Sequence, residues 1–178
     1  MQTNRLNGSD IRLLLENGFK NLRLNSDVIN NLNVFPVPDG DTGSNMAKTF
    51  EGGFSAQISE NVSQYMAGFS KNTLMSARGN SGVIFSQFIR GFALGCDEKK
   101  ELYISDFALA FGSGVKYAYK SVLNPVEGTM LSVLKDGGKR ILTNCEKYAS
   151  FEECFEDLCA ETRRSLENTP NLLSVLKE

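Results

Sequence analysis

Two aspartates one residue apart, Asp39 and Asp41, sit in the stretch from Asn33 to Met46, NVFPVPDGDTGSNM, between prolines and a helix start. Successive side chains on an extended backbone point to opposite faces, so the two carboxylates converge only if Gly40 makes a tight turn. Converging carboxylates repel each other unless a cation lies between them, and an all-oxygen donor set suits Mg2+ better than zinc or iron. Thr42, Gly43, Ser44 and Asn45 then open a helix whose unpaired N–H groups and positive dipole end favour a phosphate. Metal and phosphate together point to a nucleotide. The same residues are also good turn chemistry, with Asp accepting local backbone bonds and Gly taking positive φ, so a plain turn stays open on local grounds.

Two more turns share this design. In RGNSG, the N–H groups of Gly79, Asn80, Ser81 and Gly82 and the Ser81 hydroxyl could cradle phosphate oxygens, with Arg78 adding charge. The competing reading is a glycine-terminated helix with Asn and Ser as caps. Glu127-Gly128-Thr129 precedes a third helix opening at Met130. Neither GK[ST] after a glycine-spaced loop nor GxGxxG occurs, so the common P-loop and dinucleotide readings fail.

The chain contains no histidine, which removes the side chain most used as a base near neutral pH and excludes Ser-His-Asp and Cys-His catalysis within it. Phosphoryl transfer tolerates that loss, because positioning and charge neutralisation do most of its work. Cys96, Cys145, Cys154 and Cys159 form no CxxC pair, so they read as reduced packing residues rather than zinc ligands. A net charge of −2 gives no global field for nucleic acid or an anionic membrane. No apolar run approaches the roughly 20 residues that span a bilayer, and the N-terminus lacks a signal core, so a cytoplasmic location is expected.

The elements that must position these turns read as helices. Apolar spacing predicts a helix from Ser9, taken as its N-cap, to about Leu32, then one carrying Met46, Phe50 and Phe54, and another over Val62 to Leu74. Val83 to Leu94 reads as a helix rather than a long strand, followed by helices over 105–121, 130–144 and 150–167, the last ending before Thr169-Pro170. With no strand assigned, 178 residues suit a single all-α domain of about seven helices with mostly antiparallel neighbours. In that topology alternate helix starts share one end, so the three glycine turns would converge there.

NVFPVPDGDTGSNM, then SARGNSGVIFSQ, then VEGTML together resemble the N-terminal nucleotide-binding domain of the bacterial fatty acid kinase A subunit, itself similar to the L subunit of dihydroxyacetone kinase. The resemblance covers essentially the whole chain, 1–178. It implies an antiparallel barrel of eight helices, about seven of them present here, capped by ATP or ADP with two Mg2+ ions. Asp39 and Asp41 take the place of the bridging metal ligands, and Asn33 stands where the dihydroxyacetone kinase pattern has a third aspartate. Thr42, Ser44 and Asn45 fall on the phosphate-binding turn and Ser81 and Gly82 on the second phosphate loop. Thr129 and Met130 fall near the base or ribose.

In that family a further segment completes the barrel and leads into other domains, so the resemblance implies a fragment truncated at its C-terminal end, with an exposed apolar strip that favours self-association. It implies transfer of the γ-phosphoryl group to the carboxylate of a fatty acid held by a binding-protein partner, and a homodimer for the full-length protein. The alternatives are a dihydroxyacetone kinase nucleotide subunit and a noncatalytic helical scaffold whose three turns are only caps.

Overall fold

The computed structural model describes residues 3–177. Among them are eight α-helices: α1 (Gly8–Leu24), α2 (Ser26–Asn31), α3 (Thr42–Gly53), α4 (Val62–Met75), α5 (Gly79–Gly95), α6 (Ile104–Lys120), α7 (Met130–Asn144) and α8 (Phe151–Leu172). A 3-10 turn over Ser174–Lys177 follows. The only sheet among the described residues is a two-residue antiparallel bridge of β1 (Arg5–Leu6) with β2 (Leu102–Tyr103).

Three local expectations change. The long first helix is two helices, because the chain turns at Asn25, which caps the end of α1 through its own N–H and side chain. Its start lies at Asn7, not Ser9: the Asn7 side chain accepts from Asp10 N, and the Asp10 carboxylate accepts from Asn7 N in return. α8 runs past Glu167 and through Pro170 to Leu172. Pro170 has no N–H for the carbonyl four residues back, and the Thr169 hydroxyl donates to that Leu166 carbonyl instead, at 2.7 Å.

Helices α3 to α8 pack each against the next, with α1 against α3 and α4. The pairing is antiparallel, as side-chain order shows. On α5 and α6, a Cβ built on Gly91 meets Ser113 O and Gly114 Cα, while one built on Gly95 falls 2.5 Å from Ala110 Cα. On α7 and α8, Asp136 meets Ser165 and Arg140 meets Asp157. The starts of α3, α5 and α7 therefore lie at one end, with the ends of α4, α6 and α8. At the opposite end the N-terminal segment clasps the start of α8: Phe151 N donates to Thr3 O, and Thr3 N to Glu152 Oε2.

Phenylalanines form two groups within the core. Phe50 of α3 contacts Phe19, Phe54, Phe69 and Phe85, at 5.0 Å between centroids for Phe85, and so pins α1, α4 and α5 behind the turn at the start of α3. A second group, Phe88, Phe92, Phe107, Phe111, Phe151 and Phe155, joins α5, α6 and α8. Between α1 and α8 the core opens into an apolar cavity of about 280 Å3, reached by Leu14 and Leu15 from one side and by Leu158 and Cys159 from the other.

Candidate functional site

The DGDTG turn is held from both sides. Gly40 has φ +66°, the left-handed conformation that brings the chain round between Asp39 and Asp41. Asn33 Nδ2 donates to Asp39 Oδ1 at 2.7 Å and to Val37 O at 3.0 Å, so the residue at the expected third-ligand position lies directly against one of the two carboxylates. Asp41 is the N-cap of α3, yet its side chain makes no capping bond and is left for other work.

α3 then begins at Thr42. The first backbone bond of the helix runs from Asn45 N to Asp41 O, and Thr42 N and Gly43 N have no acceptor among the described residues. Gly43 is required here by contact: a Cβ on it would fall 2.2 Å from Ser26 O, so α2 lies directly against the first turn of α3. From α2, Asn30 reaches Ser44. Its amide bonds both the Ser44 hydroxyl and the Ser44 N–H. Asn30 and Ser26 escape a reading of the sequence, because they sit in an unremarkable polar run and gain their meaning only from the break at Asn25.

The second glycine turn packs against the first. Gly79 has φ +60°, and a Cβ on it would meet Asn45 Nδ2 at 2.4 Å. The Ser81 hydroxyl lies 3.5 Å from Thr42 O, and Arg78 N donates to the buried Thr49 hydroxyl of α3. α5 takes its first bond from Gly82 N to Arg78 O, and Gly79, Asn80 and Ser81 offer N–H groups without acceptors among the described residues. Thr42, Ser44, Asn45, Gly79, Asn80, Ser81 and Gly82 are thus one cluster, built from two helix starts side by side. Thr49 is a further member, legible only as a buried threonine once α3 is placed.

The third turn stands apart in its contacts. Gly128, at φ +83°, fits closely against Thr169 and Leu173 at the end of α8. The Thr129 side chain caps α7 by accepting from Leu131 N. Glu127 accepts from Tyr119, Ser132 and Lys135, and its carboxyl is held below the usual range first by Lys135 and then by Ser132. Thr129 and Met130 share the end of the fold with the other two turns but make no hydrogen bond to them.

The donor set fits Mg2+ in one way only. Among the described residues no group of three or more His, Cys, Asp or Glu stands close enough to hold a metal, so an all-carboxylate cage is absent. Mg2+ is commonly held by one or two carboxylates with phosphate oxygens and waters completing six ligands, and Asp39 with Asp41, backed by Asn33, matches that pattern.

A family model for the DAK2 domain matches residues 36–178, from Pro36 in the lead-in to the aspartates through all three glycine turns. The chain belongs to the DAK2 domain family. That family is related to dihydroxyacetone kinase, so this DAK2 domain is kinase-like and consistent with nucleotide binding. It is 44% identical over 177 residues to an uncharacterized protein of Staphylococcus epidermidis and equally to one of Staphylococcus haemolyticus, each match covering 98% of this chain and 32% of the relative. An uncharacterized protein of Staphylococcus aureus is 42% identical over the same share. The DAK2 domain described here spans about a third of the length of these curated relatives. None of its described helices is long and apolar enough to cross a membrane.

Proposed function

We propose that this DAK2 domain binds ATP at the paired starts of α3 and α5, and that it is the nucleotide-binding part of a fatty acid kinase. The observation that supports it most is the set of acceptor-free N–H groups at Thr42, Gly43, Gly79, Asn80 and Ser81, gathered beside Asp39 and Asp41. Two helix dipoles and a group of free N–H donors favour the phosphate chain of a nucleotide over a neutral ligand.

Asp39 and Asp41 would hold Mg2+, with Asn33 fixing the Asp39 carboxylate through its amide. Bound there, Mg2+ supplies positive charge to the phosphate oxygens as the γ-phosphoryl group leaves. The chain's own groups bind and orient: the N–H groups at 42–43 and 79–81 grip oxygens, and Thr49 keeps the two helix starts in register. The acceptor is a fatty acid carboxylate carried by a binding-protein partner. Its oxygen attacks the γ-phosphorus, the bond to the ADP oxygen breaks, and an acyl phosphate forms. A carboxylate is ionised at pH 7, so the step asks no base of a histidine-free chain. Asn33, in place of an aspartate, is where the sequence resembles the fatty acid kinase branch rather than the ketose kinase branch.

Calorimetry with ATP tests the site. Asp39→Asn and Asp41→Asn should each abolish the Mg2+ dependence of binding; unchanged affinity and metal dependence in both would remove it. The acceptor is decided by assaying the longer protein that carries this domain, with its partner, against fatty acid and against dihydroxyacetone. Turnover of the ketose alone would overturn the fatty acid assignment.

A further inference from the structure

Several hydroxyls in these helices spend their proton on the helix itself. Thr49, Thr73, Ser86, Thr143, Thr162 and Thr169 each donate to a carbonyl three or four residues back. Ser44, in the first turn of α3, does not. Its Oγ accepts from Asn30 Nδ2 at 2.9 Å and donates to no acceptor among the described residues. Its N–H is taken by Asn30 Oδ1 at 3.1 Å.

The two bonds together fix the sense of the hydroxyl. A carboxamide nitrogen only donates, so it must occupy a lone pair on Oγ, while the carboxamide oxygen is engaged by the Ser44 N–H. What Ser44 has left is its proton. Asn30 is itself well anchored: α2 lies against α3 through Gly43, and the Asn30 carbonyl accepts from Asn33 N at 3.2 Å, the same Asn33 whose amide holds Asp39. One residue thereby touches both the carboxylate side and the phosphate side of the cluster.

We propose that Asn30 is a positioning residue that keeps the Ser44 hydroxyl a hydrogen-bond donor for a phosphate oxygen of the bound nucleotide. The inference rests on the nucleotide reading of the α3 and α5 starts. It assigns Ser44 a side-chain role and withdraws its N–H from ligand binding, leaving Thr42 and Gly43 as the backbone donors on α3.

The test is a double-mutant cycle read by calorimetry with a non-hydrolysable ATP analogue and Mg2+, with the thermal midpoint without nucleotide recorded for each protein. Ser44→Ala and Asn30→Ala should each weaken binding about tenfold, the scale of one hydrogen bond to a charged group. The double variant should bind no more weakly than Ser44→Ala alone. Asn30→Asp keeps the shape but can only accept from the hydroxyl, so it should bind more weakly than Asn30→Ala. Wild-type affinity in Asn30→Asp, or fully additive losses in the cycle, would overturn the inference while leaving the nucleotide site standing. Failure of the wild-type chain to bind the analogue would instead bring down the nucleotide reading, and this inference with it.

Discussion

The Thr49 hydroxyl accepts from Arg78 N at 3.1 Å while donating to Asn45 O at 2.6 Å, and so joins the start of α5 to the body of α3. Thr49→Val keeps the volume and removes both bonds. The Arg78 N–H then loses its acceptor, at a cost of about 1–3 kcal/mol. The measurable result is a lower denaturation midpoint together with weaker ATP binding, because the two helix starts lose their register. Full affinity in a destabilised Thr49→Val protein would show that the bond serves stability alone.

Gly40 and Gly79 are both left-handed but differ in their surroundings. A Cβ on Gly40 finds its nearest neighbour, Asn30 O, at 3.8 Å, whereas one on Gly79 would press on Asn45 Nδ2 at 2.4 Å. Gly40→Ala should therefore cost only the backbone term, about 1–2 kcal/mol. Gly79→Ala should cost that and a displaced Asn45, with a larger fall in nucleotide affinity. Chemical denaturation and calorimetry on the pair check the order.

The α7–α8 contact carries an acid dependence. Asp157 is held below the usual carboxylate range first by Arg140, whose Nε lies 2.9 Å away, and then by the Tyr148 hydroxyl. A lowered folded-state pKa gives stability that is complete above the unfolded value of about 3.9 and is lost as pH falls through the folded value. Asp157→Asn should lower the thermal midpoint at pH 7 and converge with the wild type in acid. Parallel pH profiles for the two proteins would show that the pair contributes nothing.

The cysteines should divide by burial. Burial pushes the Cys96 thiol up to about 12 and the Cys154 thiol up to about 11, whereas Cys159 is exposed. At pH 8 in native protein a thiol reagent should label Cys159 promptly and reach Cys96 and Cys154 only after denaturation. Prompt labelling of Cys96 would contradict the packing of α5 against α6.

Most of the helices were legible because their apolar residues repeat with the helical period and end at Gly, Asn or Pro. α5 is the clearest case: Phe88, Ile89 and Phe92 are all buried, as the spacing requires. The break at Asn25 was hidden by the same rule. Val28 and Leu32 continue the pattern, yet they are 56% and 71% exposed and α2 buries no residue, so the spacing there reflects no buried face. Pro170 is the opposite case: it reads as a stop, yet α8 passes through it because the Thr169 hydroxyl takes over the carbonyl that a proline strands. At the site, the glycines and aspartates announced themselves through turn chemistry. Asn30 and Thr49 did not, because a side chain that holds another residue in place has no local signature until the helices are set side by side.

The clasp between Thr3 and the start of α8 joins residues 149 positions apart, whereas most close helix pairs are neighbours in the chain. Contacts between neighbours close short loops and form readily; one across almost the entire chain closes the longest loop of all. Folding should therefore finish at the clasp and unfolding should begin there, with the Phe151 amide exchanging its hydrogen ahead of those in α5. The clasp lies at the opposite end from the starts of α3 and α5, so such partial opening would leave the phosphate-facing turns assembled.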